Sequence, residues 1–281
     1  MCRRYKSRYA ERDLTLPKHR KNLLDKAVFD LSSDSNVLAI YLGGSLAKEN
    51  YDAYSDIDLH TIVKSEKKMD FIRNKRRRTE KWGQVLFHED PNPQGPVVVS
   101  HFVSFVKVDS WYHTFDELLP SIWLKNLKLL YDPSGSLEEV LQKSSNLSYK
   151  LEAAEVELWK AKVLAFAHEI YRAVMREEML YAEYNLDRLR WLVVSGWFKE
   201  IDEHFDASYG SWSKVQGKRS ILNIRQLTLL GNWECGKNAD EIMITLKNMI
   251  PEILRLHHVL SEKIGIEVNE ERFKNILEMS Y

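Results

Sequence analysis

The stretch that decides the fold is Val37-Leu-Ala-Ile-Tyr-Leu-Gly-Gly-Ser-Leu-Ala-Lys-Glu-Asn-Tyr-Asp-Ala-Tyr-Ser-Asp-Ile-Asp-Leu-His-Thr-Ile-Val63. An apolar run, read as a strand over Val37–Leu42, breaks into Gly43, Gly44 and Ser45. Ten residues follow, and Asp56, Ile57 and Asp58 then open a second apolar run, Ile57–Val63. Each part answers a physical need. Two glycines at the end of a strand permit positive φ and a close approach of the backbone to a ligand. A short helix starting at Ser45 turns its free N–H groups and positive dipole end toward a phosphate, and the Ser45 hydroxyl adds a donor. Asp56 and Asp58, alternate residues on a strand, project from one face roughly 6–7 Å apart along the backbone. Two such carboxylates repel one another unless cations sit between them. Mg²⁺, hard and oxygen-seeking, meets that need and keeps sites for phosphate oxygens. The stretch therefore predicts a nucleotide site: phosphates on the glycine turn, metals joining them to the carboxylates, and in-line displacement at phosphorus with pyrophosphate leaving.

Outward from it, the first half of the chain alternates short β-rich runs with helical stretches. Further strands are predicted over Gln84–His88, Val97–Val108 and Leu127–Tyr131. A helix is predicted over Lys18–Leu31, where Leu23, Leu24, Ala27, Val28 and Leu31 share a face. Six of the seven prolines fall in this half, at 17, 91, 93, 96, 120 and 133, and none lies between Lys150 and Ile250. Asp132-Pro-Ser-Gly-Ser reads as a turn and Leu137–Lys143 as a short closing helix. Ser144–Ser148 reads as a domain boundary and as the cap of a long helix, about Tyr149 to Leu180. That helix is apolar over so much of its circumference that it belongs among other helices. Asn185–Ile201, Arg219–Leu230, Ala239–Leu260 and Asn269–Met279 continue the pattern. The expected fold is an α/β (α+β) domain over residues 1–147 followed by an all-α helical bundle over 148–281.

Composition narrows the classes. The chain has 281 residues, 44% apolar and 29% charged, which excludes disorder and collagen. Its apolar runs are far short of the ~20 residues that cross a bilayer. Lys+Arg and Asp+Glu each number 41, so no global charge draws the chain to nucleic acid or membrane. Cys2 and Cys235 cannot build a disulfide scaffold or a zinc site, and the basic start lacks an apolar signal region. A reduced, cytoplasmic setting is expected. Arg73, Lys75-Arg-Arg-Arg78 and Lys81 form a basic run, either a phosphate patch or a solvated helix face softened by Glu66, Asp70 and Glu80. The zero balance favours the helix face. His88, His101 and His113 show no ligand spacing, and no Gly-x-x-x-x-Gly-Lys-Ser/Thr loop is present.

Gly43-Gly44-Ser45, its spacer and Asp56-Ile57-Asp58 in an apolar setting resemble the signature of the nucleotidyltransferase superfamily with the DNA polymerase β-like fold. The likeness is closest to its antibiotic-modifying branch, the aminoglycoside nucleotidyltransferases and their relatives. The motif covers 43–58, and the order of domains extends the likeness loosely over the chain. The resemblance implies a catalytic domain with a small mixed sheet and a helical domain that recognises the acceptor. It implies Asp56 and Asp58 as catalytic metal ligands, and Gly43, Gly44 and Ser45 on the nucleotide phosphates. It also implies a third carboxylate from a later strand, completing the metal site and acting as base. Asp109, which ends the run Val103-Ser-Phe-Val-Lys-Val-Asp, is the best match. Glu89 and Asp90 compete, with turn formation before Pro91 as their other reading. Lys48 either neutralises phosphate charge or is simply exposed, and His60 either supports Asp58 from behind or holds an ordinary strand position.

Acceptor recognition falls to the segment Arg176–Arg188. Glu178, Glu183 and Asp187 suit a polycationic aminosugar, and Tyr181 or Tyr184 suits a stacked ring. A solvated helix surface with Glu–Arg pairs is the other reading. The expected reaction is transfer of AMP from ATP, with Mg²⁺, to a hydroxyl of a small molecule. The alternatives are an RNA or protein acceptor, or an inactive nucleotide-binding relative. The helical half, with 18 Lys+Arg against 21 Asp+Glu from residue 148, argues against RNA.

Overall fold

The structure, a computed structural model, describes residues 7–205 and 207–281; the basic start with Cys2 lies outside the described residues. The chain divides into two compact units, Met1–Ser148 and Tyr149–Tyr281.

In the first unit the order is α1 (Ala10–Ser32), β1 (Val37–Leu42), α2 (Gly44–Ala47), β2 (Ile57–Val63), α3 (Lys68–Glu80), β3 (Val85–Glu89), β4 (Val97–Phe102), β5 (Lys107–His113), β6 (Lys128–Tyr131) and α4 (Ser136–Ser145). The strands form one mixed sheet in the order β3-β4-β5-β2-β1-β6. Only β2 and β5 run parallel; the other neighbours are antiparallel. Period-two alternation sorts the side chains. On β5, Val108, Ser110 and Tyr112 are buried, while Lys107, Asp109, Trp111 and His113 are half-buried on the opposite face. The buried face packs with Leu23, Ala27 and Leu31 of α1 and Phe71 of α3. Asp58, His60, Lys107, Asp109, Trp111 and His113 are thereby gathered on the face away from α1 and α3.

Two expectations change here. The run Val97–Val108 is two strands, not one, because the chain reverses where Phe105 takes φ +64 and the Phe102 N–H donates to the Val106 carbonyl. No glycine, proline or asparagine marks this turn in the sequence. Asp109 consequently lies near the start of a strand instead of ending one.

The second unit holds α5 (Ala153–Met175), α6 (Met179–Glu200), α7 (Ile224–Asn232), α8 (Ala239–Ile264) and α9 (Glu270–Glu278). Val156, Val163, Ala167 and Ile170 of α5 meet Leu186, Leu189 and Val193 of α6 and Leu246, Ile253 and Leu260 of α8 in one core. The helix expected over 149–180 is broken. Glu177 takes φ +59, and the Glu178 N–H returns to the Ala173 carbonyl, a left-handed helix stop made without glycine. The expected Ser144–Ser148 cap is likewise replaced by Glu152, which forms a capping box with Glu155. Among the described residues, no helix is long and apolar enough to cross a membrane.

Candidate active site

The Gly43–Gly44 turn is tied to β2 by its backbone and by sterics. The Gly43 N–H donates to the Asp58 carbonyl at 2.9 Å. Gly44 takes φ +58, and a Cβ there would sit 1.7 Å from Asp58 Oδ2. Glycine is thus required at 44 for its conformation and again for space. α2 begins at Gly44, one residue before the expected start, and runs only four residues. Ser45 is 3% exposed, and its hydroxyl finds no hydrogen-bond partner among the described residues. A buried hydroxyl in that state costs free energy unless something bonds to it. Lys48 closes α2 and is exposed.

Asp56 precedes β2, Asp58 is its second residue, and Asp109 stands opposite Asp58 in the parallel register of β2 and β5. One oxygen from each of the three lies within 4.8 Å of the others, and no other such group of acidic, histidine or cysteine ligands occurs among the described residues. Lys107 joins them. Its Nζ lies 2.7 Å from Asp56 Oδ2 and 3.1 Å from Asp109 Oδ1. Burial favours a neutral lysine, but the Asp56 and Asp109 carboxylates outweigh it and hold the ammonium above its ordinary pKa. Burial pushes the Asp109 carboxyl up, aided by the charges of Asp56 and Glu89 and opposed by Lys107. Three carboxylates with hard oxygen donors and partial burial fit a divalent cation such as Mg²⁺.

The two competing carboxylates are engaged elsewhere. Asp90 has a side chain only 2% exposed, clamped by Lys75 at 2.7 Å and Arg76 at 2.8 Å. Glu89, on β3, accepts from His101 Nε2 at 2.6 Å, and β4 separates it from Asp109. Most of the basic run is engaged in the same way. Lys75 is buried and also donates to the carbonyls of Asn92 and Gly95, Arg78 bonds Asp30 and Asp34, and Arg73 bonds Asp70.

Beyond the carboxylates on the same strands lies a stack of rings. His60 stacks on Tyr41 with centroids 4.7 Å apart, and Trp111 and His113 lie nearly parallel to it. His60 Nδ1 is 3.0 Å from His113 Nε2, and burial followed by the neighbouring His113 pulls His60 down to about 3. His60 is therefore a neutral ring, and its Nε2 lies 3.0 Å from where a Gly43 side chain would begin. The alternation that put Asp109 on this face could have revealed Trp111 and His113. Lys107 was hidden because it reads as one more position in a β-rich run. A cavity of about 340 Å³ adjoins Asp56 and Lys107, lined by Tyr54, Phe105 and the stacked Phe87–His101 pair.

In the second unit, the acidic residues of the Arg176–Arg188 segment have partners. Glu183 pairs with Lys237 at 3.4 Å, Asp187 accepts from Trp212 Nε1 at 2.9 Å, and Glu178 lies 3.8 Å from Arg176. Tyr181 and Tyr184 stack on each other, 6.4 Å between centroids. A cavity of about 450 Å³ in this unit is lined instead by Tyr149, Glu155, Trp159, Lys199, Glu203 and Tyr209.

Residues 22–92 match a family model described as "Nucleotidyltransferase domain", a match that takes in Gly43 to Asp58 and stops short of Asp109. The match lies within the first unit and supports a transferase with a nucleotidyltransferase domain there. Among solved structures, the chain is similar to an aminoglycoside 6-adenyltransferase from Bacillus subtilis, 13% identical with a TM-score of 0.44, over 93% of this chain and 97% of that one. It is also similar to a nucleotidyltransferase-like protein from Exiguobacterium sibiricum 255-15, 10% identical with a TM-score of 0.41, over 84% of this chain and 75% of that one. No curated protein matches the chain.

Proposed function

We propose that the protein transfers AMP from ATP to a hydroxyl of a small-molecule acceptor, a cationic aminosugar of the aminoglycoside kind, with pyrophosphate leaving. One observation carries the reading: three carboxylates from adjacent strands converge beside a glycine turn that holds a buried hydroxyl without a partner among the described residues. Residues 1–147 form the catalytic part and residues 148–281 the acceptor-binding part in this reading. Asp56, Asp58 and Asp109 would hold Mg²⁺, which when bound draws charge from the phosphate oxygens and acidifies the acceptor hydroxyl.

The chain's own residues account for the remaining steps. The backbone at Gly43 and Gly44 lets the triphosphate approach closely, the Ser45 hydroxyl donates to a phosphate oxygen, and Lys48 adds positive charge. The acceptor oxygen attacks the α-phosphorus, forming an O–P bond as the bond to the bridging oxygen of pyrophosphate breaks. The acceptor's proton passes to a carboxylate oxygen of Asp109. A carboxyl that burial holds above its usual range is suited to that role, since a base works best when its pKa approaches the working pH.

A small cationic acceptor is favoured over RNA by charge. Arg73, Lys75, Arg76, Arg78 and Lys81 of the basic run are held in ion pairs with Asp30, Asp34, Asp70 and Asp90, and the second half is acidic on balance. Nucleic-acid binding needs cations that are able to neutralise phosphates. Pyrophosphate release with ATP and Mg²⁺, measured across aminoglycosides, lincosamides and RNA, tests the proposal. Release with RNA but with none of the small molecules would move the reading to a macromolecular acceptor, and no release with any would remove it.

A further inference from the structure

We infer that Lys107 competes with the divalent cation for the carboxylate trio and thereby couples cation binding to nucleotide binding; this rests on the assignment of Asp56, Asp58 and Asp109 made above. The Lys107 ammonium lies 2.7 Å from Asp56 Oδ2, 3.1 Å from Asp109 Oδ1 and 3.2 Å from Asp109 Oδ2. Those are oxygens that a cation would need. A lysine and a divalent cation cannot both sit against them, because the two are of like charge and would share one space only a few ångströms across.

The placement is built into the backbone. The turn at Phe105 ends β4 and starts β5 at Lys107, and the parallel register sets Val108 beside Ile57 and Asp109 beside Asp58. Lys107 and Asp109, alternate residues on β5, therefore share the face onto which Asp56 and Asp58 project. Lys107 and Asp56 are each 34% exposed, so the ammonium is reachable from solvent and its four-carbon stem has room to turn away.

A cation arriving alone must displace Lys107 into water and gains little. A cation arriving with a triphosphate gives the displaced ammonium new anionic oxygens to bind. The trio therefore resists the free cation and accepts the cation–nucleotide pair, and by linkage the cation raises nucleotide affinity by the same factor.

The test is Mn²⁺ binding to the full chain, followed by the electron paramagnetic resonance of free Mn²⁺, with and without α,β-methylene-ATP. Lys107→Met should bind Mn²⁺ alone about tenfold more tightly or better than wild type. The analogue should then enhance Mn²⁺ binding less in the variant than in wild type. Lys107→Arg, which keeps the charge, should stay as weak as wild type. The inference is overturned if Lys107→Met binds Mn²⁺ no more tightly than wild type, or if Lys107→Arg tightens as much as Lys107→Met. Mn²⁺ binding that is unchanged by Asp58→Asn, or absent in every variant even with the analogue, overturns the trio's assignment as well.

Discussion

Replacing Gly44 with alanine separates conformation from space at the heart of the site. Alanine at φ +58 costs about 1–2 kcal/mol for its left-handed backbone. Its Cβ would also lie 1.7 Å from Asp58 Oδ2 and 2.7 Å from Asp58 Cγ, where real Cβ contacts do not fall below 3.0 Å. The carboxylate must therefore move by at least the difference between 1.7 and 3.0 Å, leaving its place beside Asp56 and Asp109. A displacement of about 1 Å at a reacting centre costs on the order of a hundredfold in rate. Gly44→Ala should lose at least that in pyrophosphate release, together with a stability loss in urea unfolding that exceeds the backbone cost, because the Asp58 carboxylate is displaced. Gly135→Ala is the control, because φ is +71 there and nothing lies within 4 Å of the added Cβ. It should show the backbone cost alone, with full turnover. In an Asp58→Ala background, the added cost of Gly44→Ala should fall to the backbone part. Wild-type turnover in Gly44→Ala, or an equal stability loss with and without the Asp58 carboxylate, would refute the steric argument.

Four further outcomes are expected. Asp56→Asn or Asp58→Asn should abolish turnover, and Asp58→Asn should keep or raise the melting temperature in chelator, because one charge of a self-repelling group is gone. Asp109→Asn should lower turnover by several orders of magnitude with ATP affinity nearly unchanged; if Glu89→Gln does this and Asp109→Asn does not, the third carboxylate is misassigned. Arg20→Met should destabilise the first unit by about 3 kcal/mol or more, since Arg20 is buried and donates to the carbonyls of Asp52, Ala53 and Ser55; an unchanged unfolding midpoint would count against this. His257 is buried against Phe273, and burial first, then the charge of Lys160, pull it down to about 4, so stability is fully present above about 6.5 and lost as pH falls toward 4. His257→Phe should flatten that fall in melting temperature, and an unchanged slope would place its source elsewhere.

The elements that the sequence makes legible are those with local signals. The strands on either side of Gly43-Gly44-Ser45 read directly, because an apolar run, two glycines and an Asp-x-Asp leave few other conformations. An α/β part followed by helices was legible from the switch in period near the middle of the chain, whereas the mixed sheet was implied by the family resemblance alone. What failed were stops made without stop residues. Phe105 and Glu177 both adopt positive φ, where the chain carries no glycine, so β4 and β5 read as one strand and α5 ran on into α6. The convergence of Asp109 with Asp56 and Asp58 depends on β2 and β5 being parallel neighbours. That is a fact of topology, and nothing in the local sequence of either strand states it. Lys107 follows from the same register and was invisible for the same reason.

The spacer between the two halves of the motif shows why length alone does not make the site. Its last residues are held from outside the motif: one guanidinium nitrogen of Arg20, on α1, reaches the carbonyls of Asp52 and Ser55 at 2.7 and 2.9 Å. The Ser55 hydroxyl then closes the turn by accepting from the Asp52 N–H and donating to the Asp52 carboxylate. That fixes the direction in which the chain enters β2, and with it the place of Asp56. At the other end, the Gly43 N–H bonds the Asp58 carbonyl, so the turn and the strand are one hydrogen-bonded piece. The carboxylates repel one another, and nothing in their own chemistry would keep them together. Their convergence is imposed by neighbours: a buried arginine on one side, a glycine without room for a methyl group on the other, and a parallel strand that delivers Asp109 with Lys107, whose ammonium bridges Asp56 and Asp109. Substitutions at Arg20 or Gly44 should therefore disturb the site even though neither residue contributes a side chain to the reacting atoms.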